Sequence, residues 1–376
     1  MNIRIRRALV PTVALGLVLA AQPAYASVSS TPDVTGQAVG GVYAIADAGD
    51  RTIIGGLFTR YGNRARANVA AINADGTVDI AWNPGTNGVV KAVAVSEDGT
   101  TVFLGGVFTT VGGQPRANLA AVDAVTGVVR DTWVADTVGT NPDVNSLAVK
   151  GDRLYVAGQF GGIDGTTRKR LVALDVATGD LITGFRPAPN GNVREVVVSP
   201  DGTKVYAGGA FTTIGGQSRA ASAAELLASN GLATAFNPTL SGGNVVTVAL
   251  TPDGSRFFYS TENNTVIATD PAVGDGPVWT RKMSGNTQGM AASATGELYI
   301  GGHFSQDLTT KLKRTYMASL WYDDGSLTDW DPNASGGKQG VWAFLIDGDK
   351  LHVGGFFRYF DTTITQRGYA RFSGTP

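Results

Sequence analysis

The sequence predicts an all-β fold: a seven-bladed β-propeller of four-stranded blades, with the ring closed by an N-terminal strand joining the last blade. Three observations predict it. A GGxF segment recurs along the 376 residues at intervals near 50. Each interval holds short alternating runs of β-branched and apolar residues, the signature of strands. The 51 glycines against 15 prolines supply many tight turns. Repeats of this length mean solenoids or propellers, and four short strands per repeat select the propeller.

At the N-terminus, Arg4, Arg6 and Arg7 precede an apolar run from Ala8 to Ala21 and the small-x-small site Ala24, Tyr25, Ala26. This reads as a secretory signal peptide over residues 1–26, leaving residues 27–376 as one propeller domain. The apolar run is interrupted by Pro11 and falls short of the roughly 20 residues a spanning helix needs, so no membrane span is expected after cleavage. Without the leader, 27 basic residues face 31 acidic ones, a formal charge of −4. That balance gives no basic footprint for nucleic acid. The chain is expected to be secreted or held at the cell surface, yet it has no cysteine. Disulfides and thiolate metal ligands are therefore excluded.

Phe58, Phe108, Phe160, Phe211, Phe304 and Phe357 end six copies of the segment, five written GGxF and the third AGQF. A further copy is hidden in DGSRFFYSTEN (253–263), which matches DGTKVYAGGAF (201–211) but puts Asn263 at the aromatic position and lacks the loop that follows. Within a repeat, VVKAVAV, TVFLGG, ANLAAVDA and VRDTWV are successive strand candidates separated by EDGT and TG turns. Stacked first strands share the column Val42, Val90, Val144, Val193, Val245, Thr287, Val341. Two residues on stands a mostly small column, Ala44, Ala92, Ser146, Glu195, Thr247, Gly289, Ala343, as crowding about an axis requires. The last repeat stops after its third strand, so residues 27–32 are expected to supply its fourth and to remove an edge.

The stretch GGLFTRYGNRARANVAAINADGTVDIAWNP (55–84) and its copies resemble the bacterial delta-60 repeat β-propellers over essentially the whole mature chain. The resemblance implies an exported or surface-displayed propeller and brings no catalytic residues. AVDAVTGVVRDTW (121–133) and ALDVATGDLITGF (173–185) look like the tryptophan-docking motif of quinoprotein dehydrogenase propellers, with the aromatic displaced and no recognisable cofactor environment. No cofactor is expected.

Features present in nearly every repeat read as scaffold. Arg66, Arg116, Arg168, Arg219, Arg314 and Arg367 are expected to tie each loop to neighbouring carbonyls. Trp82, Trp133, Phe185, Phe236, Trp279 and Trp330 are expected to pack between blades. His352 falls in a column of core residues, whereas His303 ends a strand and is a better functional candidate. No zinc spacing, serine nucleophile elbow, phosphate loop or Rossmann fingerprint occurs. The four aspartates of DDGSLTDWDPN (323–333) could offer oxygens to calcium, although without EF-hand spacing.

Function is expected where repetition fails. The first-strand column Tyr43, Lys91, Asn145, Arg194, Val246, Gln288, Trp342 varies and should face the channel mouth, joined by His303 and Tyr359 from irregular neighbours. The shortened fifth repeat should leave a notch on that rim. Glu195 is the charged residue in the small column: a channel carboxylate with a shifted pKa and a role is the functional reading, and pairing with Arg194 or Lys91 is the ordinary structural one. The expectation is a noncatalytic, monomeric binding or scaffold module for a glycan, cell-envelope component or protein. The alternative is a secreted lyase or hydrolase using Glu195 with Arg194 or Lys91 at the mouth.

Overall fold

The computed structural model describes residues 28–239, 243–274 and 276–374. The expected signal peptide and Ser27 lie outside the described residues. No helix occurs among the described residues.

Seven stretches of chain, units one to seven, each fold into an antiparallel sheet of the same order. Their first strands are Ala38–Asp47, Val89–Val95, Asp143–Lys150, Asn192–Val198, Val245–Leu250, Thr287–Ala292 and Val341–Asp347. These lie side by side in sequence order, and Val341–Asp347 also contacts Ala38–Asp47. Each first strand pairs with a second, and each second with a third that follows a left-handed residue. That residue is Asn68, Asn118, Arg170, Ser222, Asn264, Tyr316 or Gly368, with φ between 55° and 71°.

The two glycines of GGxF have separate causes. A β-carbon at Gly105 would stand 2.5 Å from Val144 Cγ1 of the next unit, so the first glycine lets neighbouring sheets close up. The same relation joins Gly354 of unit seven to Val42 of unit one, at 2.7 Å. A β-carbon at Gly106 would instead collide with the carbonyl oxygen of Val89 in its own sheet. That carbonyl leans in beside a β-bulge, because the ladder skips Lys91 between Val90 and Ala92.

The fourth strand departs from expectation. Unit five alone among the described units carries a full fourth strand, Pro277–Lys282. In five other units the fourth segment touches the third through one bridge, as at Ile72 and Val78. The loop arginines occupy the place of the missing ladder. Arg66 donates to the carbonyls of Asp79 at 2.8 Å and Ile80 at 3.3 Å, Arg219 to Thr234 at 2.7 Å, and Arg314 to Thr328 at 3.1 Å. Unit five has no such arginine, so its backbone pairs instead. In unit seven the tether is Gln366, which is buried and donates to Gly36 and Tyr369, while Arg367 is exposed.

The recurring aromatics are core. Trp82, Trp133, Trp279 and Trp330 are buried, and three of their indoles reach the next unit, Trp82 to Asp123 O, Trp133 to Val176 O and Trp279 to Tyr322 O. Trp330 of unit six reaches Ser29 O in the N-terminal segment. That segment follows the last strand of unit seven, with Ser29 N bonded to Ser373 O, Asp33 N to Arg371 O, and an Asp33–Arg371 ion pair at 2.6 Å.

Candidate functional site

The bulge seen at Lys91 recurs in every first strand. Tyr43, Asn145, Arg194, Gln288 and Trp342 are likewise skipped by the ladder, as are Val246 and Thr247 together. A bulged residue leaves the pleat and its side chain is re-aimed. The seven bulge residues Tyr43, Lys91, Asn145, Arg194, Val246, Gln288 and Trp342 all line one cavity of about 680 Å3. Ala44, Ala92, Ser146, Glu195, Gly289 and Ala343 of the small column line it too.

Two expected site residues are not brought there. His303 is exposed at the end of its strand, with its backbone N–H on Asn286 O. Tyr359 is half-buried, pairs with Ser335 and lies against Gly336. The structure adds Asp143, Asn192, Glu262 and Asn286 to the lining. Asp143, Asn192 and Asn286 precede the conserved-looking valine column by one residue, and Glu262 stands where GGxF has its x. The x position is as variable between units as the bulge column, which was the available signal for Glu262; the position before the valine repeats Asn in units four, five and six and gave a weaker one.

Of the two readings of Glu195, the structure does not bear out pairing with Arg194 or Lys91. Arg194 crosses to Glu262 of unit five at 2.6 Å, and Lys91 crosses to Asp143 of unit three. Asn145 similarly donates to Asn192 at 3.1 Å. These three bulge residues thus clasp the following unit, because adjacent side chains of one strand diverge while the next strand stands alongside. Glu195 accepts bonds on Oε2 from Thr247 Oγ1 and from Val248 N at 2.7 Å, and among the described residues no salt bridge reaches it. Burial pushes its carboxyl up to about 7, against the lowering effect of the Thr247 and Val248 bonds.

Polarity is uneven around the cavity. Units two to five neutralise one another through the Lys91–Asp143, Asn145–Asn192 and Arg194–Glu262 contacts. On the opposite side Gln288 Oε1 and Trp342 Nε1 are shielded and have no protein partner. Tyr43 packs edge-on against Trp342, with ring centroids 5.1 Å apart.

The expected notch at unit five is bridged from unit six. Arg281 on the extra fourth strand makes a buried, two-pronged ion pair with Asp307, at 2.8 Å for each bond. For calcium, no three His, Cys, Asp or Glu side chains gather among the described residues. Within 323–333, Asp324 caps the Ser326 N–H and Asp331 pairs with Arg314. No helix among the described residues is long and apolar enough to cross a membrane.

Residues 50–79 match the family model described as "Domain of unknown function (DUF5122) beta-propeller". No curated protein matches the chain. Among solved structures, the WD40 beta propeller domain of Doa1 is similar at a TM-score of 0.62 and 14% identity, over 94% of this chain and 98% of that one. U3-55K is similar at a TM-score of 0.61 and 11% identity, over 89% of this chain and 95% of that one. Identities this low speak for the fold alone. By these likenesses the chain is an all-β β-propeller, and residues 50–79 form a propeller repeat of the kind that family model describes.

Proposed function

We propose that this chain is an exported seven-bladed propeller, closed by its N-terminal segment, that acts as a noncatalytic binding module. Its ligand is a glycan, a cell-envelope component or a protein. Seven like sheets support the blade count, and the bonds of Ser29 and Asp33 to the last strand support the closure. The leader-like residues 1–26 support export, which amino-terminal sequencing of secreted protein tests.

The observation that carries the binding reading is the bulge. Seven times the scaffold turns a side chain that differs between units into the same cavity, where an indole N–H and an amide oxygen stand without protein partners. Buried polar atoms need partners, and a hydroxyl-rich ligand supplies both donors and acceptors. Glycan arrays and envelope pull-downs comparing wild type with Trp342→Ala and Gln288→Ala test it. Loss of a ligand by both variants is expected; undiminished retention of every ligand removes the cavity from consideration.

One observation favours the catalytic alternative. Glu195 lines the cavity without a cation and holds its proton near neutrality, where a carboxyl can serve as acid or base. Incubating any retained glycan with wild type and Glu195→Gln separates the readings. Cleavage by wild type alone establishes a lyase or hydrolase, and an intact glycan in both leaves the binding module.

A further inference from the structure

A second concavity, of about 450 Å3, opens between the last unit and the first. Its charged lining residues are Lys338, Arg358 and Arg367, and no carboxylate lines it. Among the described residues, none of these three cations enters a salt bridge or a side-chain hydrogen bond. Both cations that line the central cavity, Lys91 and Arg194, are by contrast paired.

Each cation arises from a departure from the repeat. Arg367 is released because Gln366 takes over the tether that Arg66, Arg219 and Arg314 provide elsewhere. Arg358 stands where units two and four have Thr109 and Thr212, whose hydroxyls are held by Asn87 at 2.7 Å and Asn190 at 2.8 Å. In unit seven the Ser335 carbonyl takes the Arg358 N–H at 2.8 Å, and the side chain is exposed. Lys338 comes from the glycine-rich link 336–340, which lies so close to Phe356 that a β-carbon at Gly337 would collide with its carbonyl.

The groove adjoins the half of the central cavity that is left unpaired. Gln339, which lines the groove, accepts a 3.5 Å hydrogen bond from Tyr43 Oη, and Phe356 packs edge-on against Tyr43 at 5.3 Å. Tyr43 lines the cavity beside Trp342. A ligand resting on Trp342 therefore reaches the three cations by passing over one tyrosine.

We propose that this groove is an anion subsite, seating the carboxylate, sulfate or phosphate substituent of an acidic glycan whose neighbouring sugar occupies the central cavity. The proposal rests on the binding reading given above. Arginine forks match the paired oxygens of all three anions, and lysine adds a point charge. Three uncompensated cations in one concavity repel one another, and an anion relieves that repulsion.

The test uses the intact protein and a Lys338→Ala, Arg358→Ala, Arg367→Ala variant, all at exposed positions. Its probes are oligogalacturonate, sulfated dextran oligosaccharide, a polyol phosphate oligomer, neutral dextran oligosaccharide of equal length, and inorganic sulfate and phosphate alone. Wild type is expected to bind at least one acidic oligosaccharide at least tenfold more tightly than neutral dextran, with affinity falling as salt rises. The triple variant is expected to lose that preference and any stabilisation by sulfate or phosphate. The acidic oligosaccharide that shows the largest loss identifies the substituent. Equal affinity of wild type and triple variant for every anionic probe, or no anionic preference in wild type, overturns the subsite. Trp342→Ala keeps the two readings apart: if it retains acidic binding that the triple variant loses, the groove stands and the cavity reading falls.

Discussion

His352 and Glu195 make opposite demands on pH, and replacing either one exposes the other. His352 is 3% exposed, and burial pushes its imidazole down from 6.5 to about 4; Arg371 and Lys350 lower it further, against Asp347 and Asp33. Its Nδ1 shares a 2.7 Å hydrogen bond with Tyr369 Oη, and its Nε2 has no partner. The unfolded chain takes up this proton first, so the contribution is complete above pH 6.5 and is lost as pH falls through about 4. At about 1.4 kcal/mol per pH unit, the loss is about 3 kcal/mol. Glu195 runs the other way. Its carboxyl is raised from 4.5 to about 7, so its contribution is complete below pH 4.5 and is lost as pH rises through 7. That loss is at most about 3 kcal/mol, because solvent in the cavity screens the charge. Between pH 4.5 and 6.5 the two slopes oppose, and wild-type stability should be nearly flat. His352→Phe, which installs the residue of Phe103 and Phe258, should become more stable as pH falls from 7 to 4.5. Glu195→Gln should become less stable from pH 6.5 to 4. Urea midpoints at half-unit steps from pH 4 to 8 read both. Parallel profiles for wild type and His352→Phe would refute the linkage. Asp201 and Asp253, held down to about 2 by hydroxyl and backbone bonds, titrate below this window.

Three further outcomes follow from the scaffold. Gly106→Ala should destabilise far more than Gly105→Ala, since the first collides with a backbone carbonyl and the second with a side-chain methyl; unit three already carries Ala157 at the equivalent position, and comparable urea midpoints for the two variants would contradict this. Arg66→Met should cost about 2–3 kcal/mol through lost charged hydrogen bonds, whereas Arg367→Met should leave the urea midpoint unchanged. Deleting residues 27–33 should lower the thermal midpoint sharply, because Trp330, Arg371 and Ser373 lose their partners; an unaltered melt by circular dichroism would sink the closure.

Strand positions were legible because side-chain period and repeat period reinforce one another: the valine column and the small column recur at the same offset in every first strand. The mouth column was legible as variation, but its cause was not. A bulge is a backbone event, and here it tolerates Tyr, Lys, Asn, Arg, Gln and Trp alike, so no residue type announces it. The left-handed residue before each third strand was hidden similarly, since Arg170 and Tyr316 adopt it beside Asn68 and Asn118. Sequence adjacency puts Arg194 next to Glu195 and made it a candidate partner, whereas the pleat and the bulge send Arg194 toward Glu262. In unit seven, aligning on arginine selected Arg367, one residue beyond the buried Gln366; only burial distinguishes a tether from a free cation at that spacing.

Because each bulge residue stands outside the hydrogen-bonded ladder, it can be exchanged without renegotiating the sheet that carries it. Seven such positions around one opening form a set of dials on a fixed frame, those of Tyr43 and Trp342 coupled through their ring contact. On the binding reading proposed above, single substitutions at these positions change ligand preference while the sheet's own ladder stays intact. A library randomised at these positions alone should therefore yield mostly soluble, well-folded members, and its diversity would be spent on recognition.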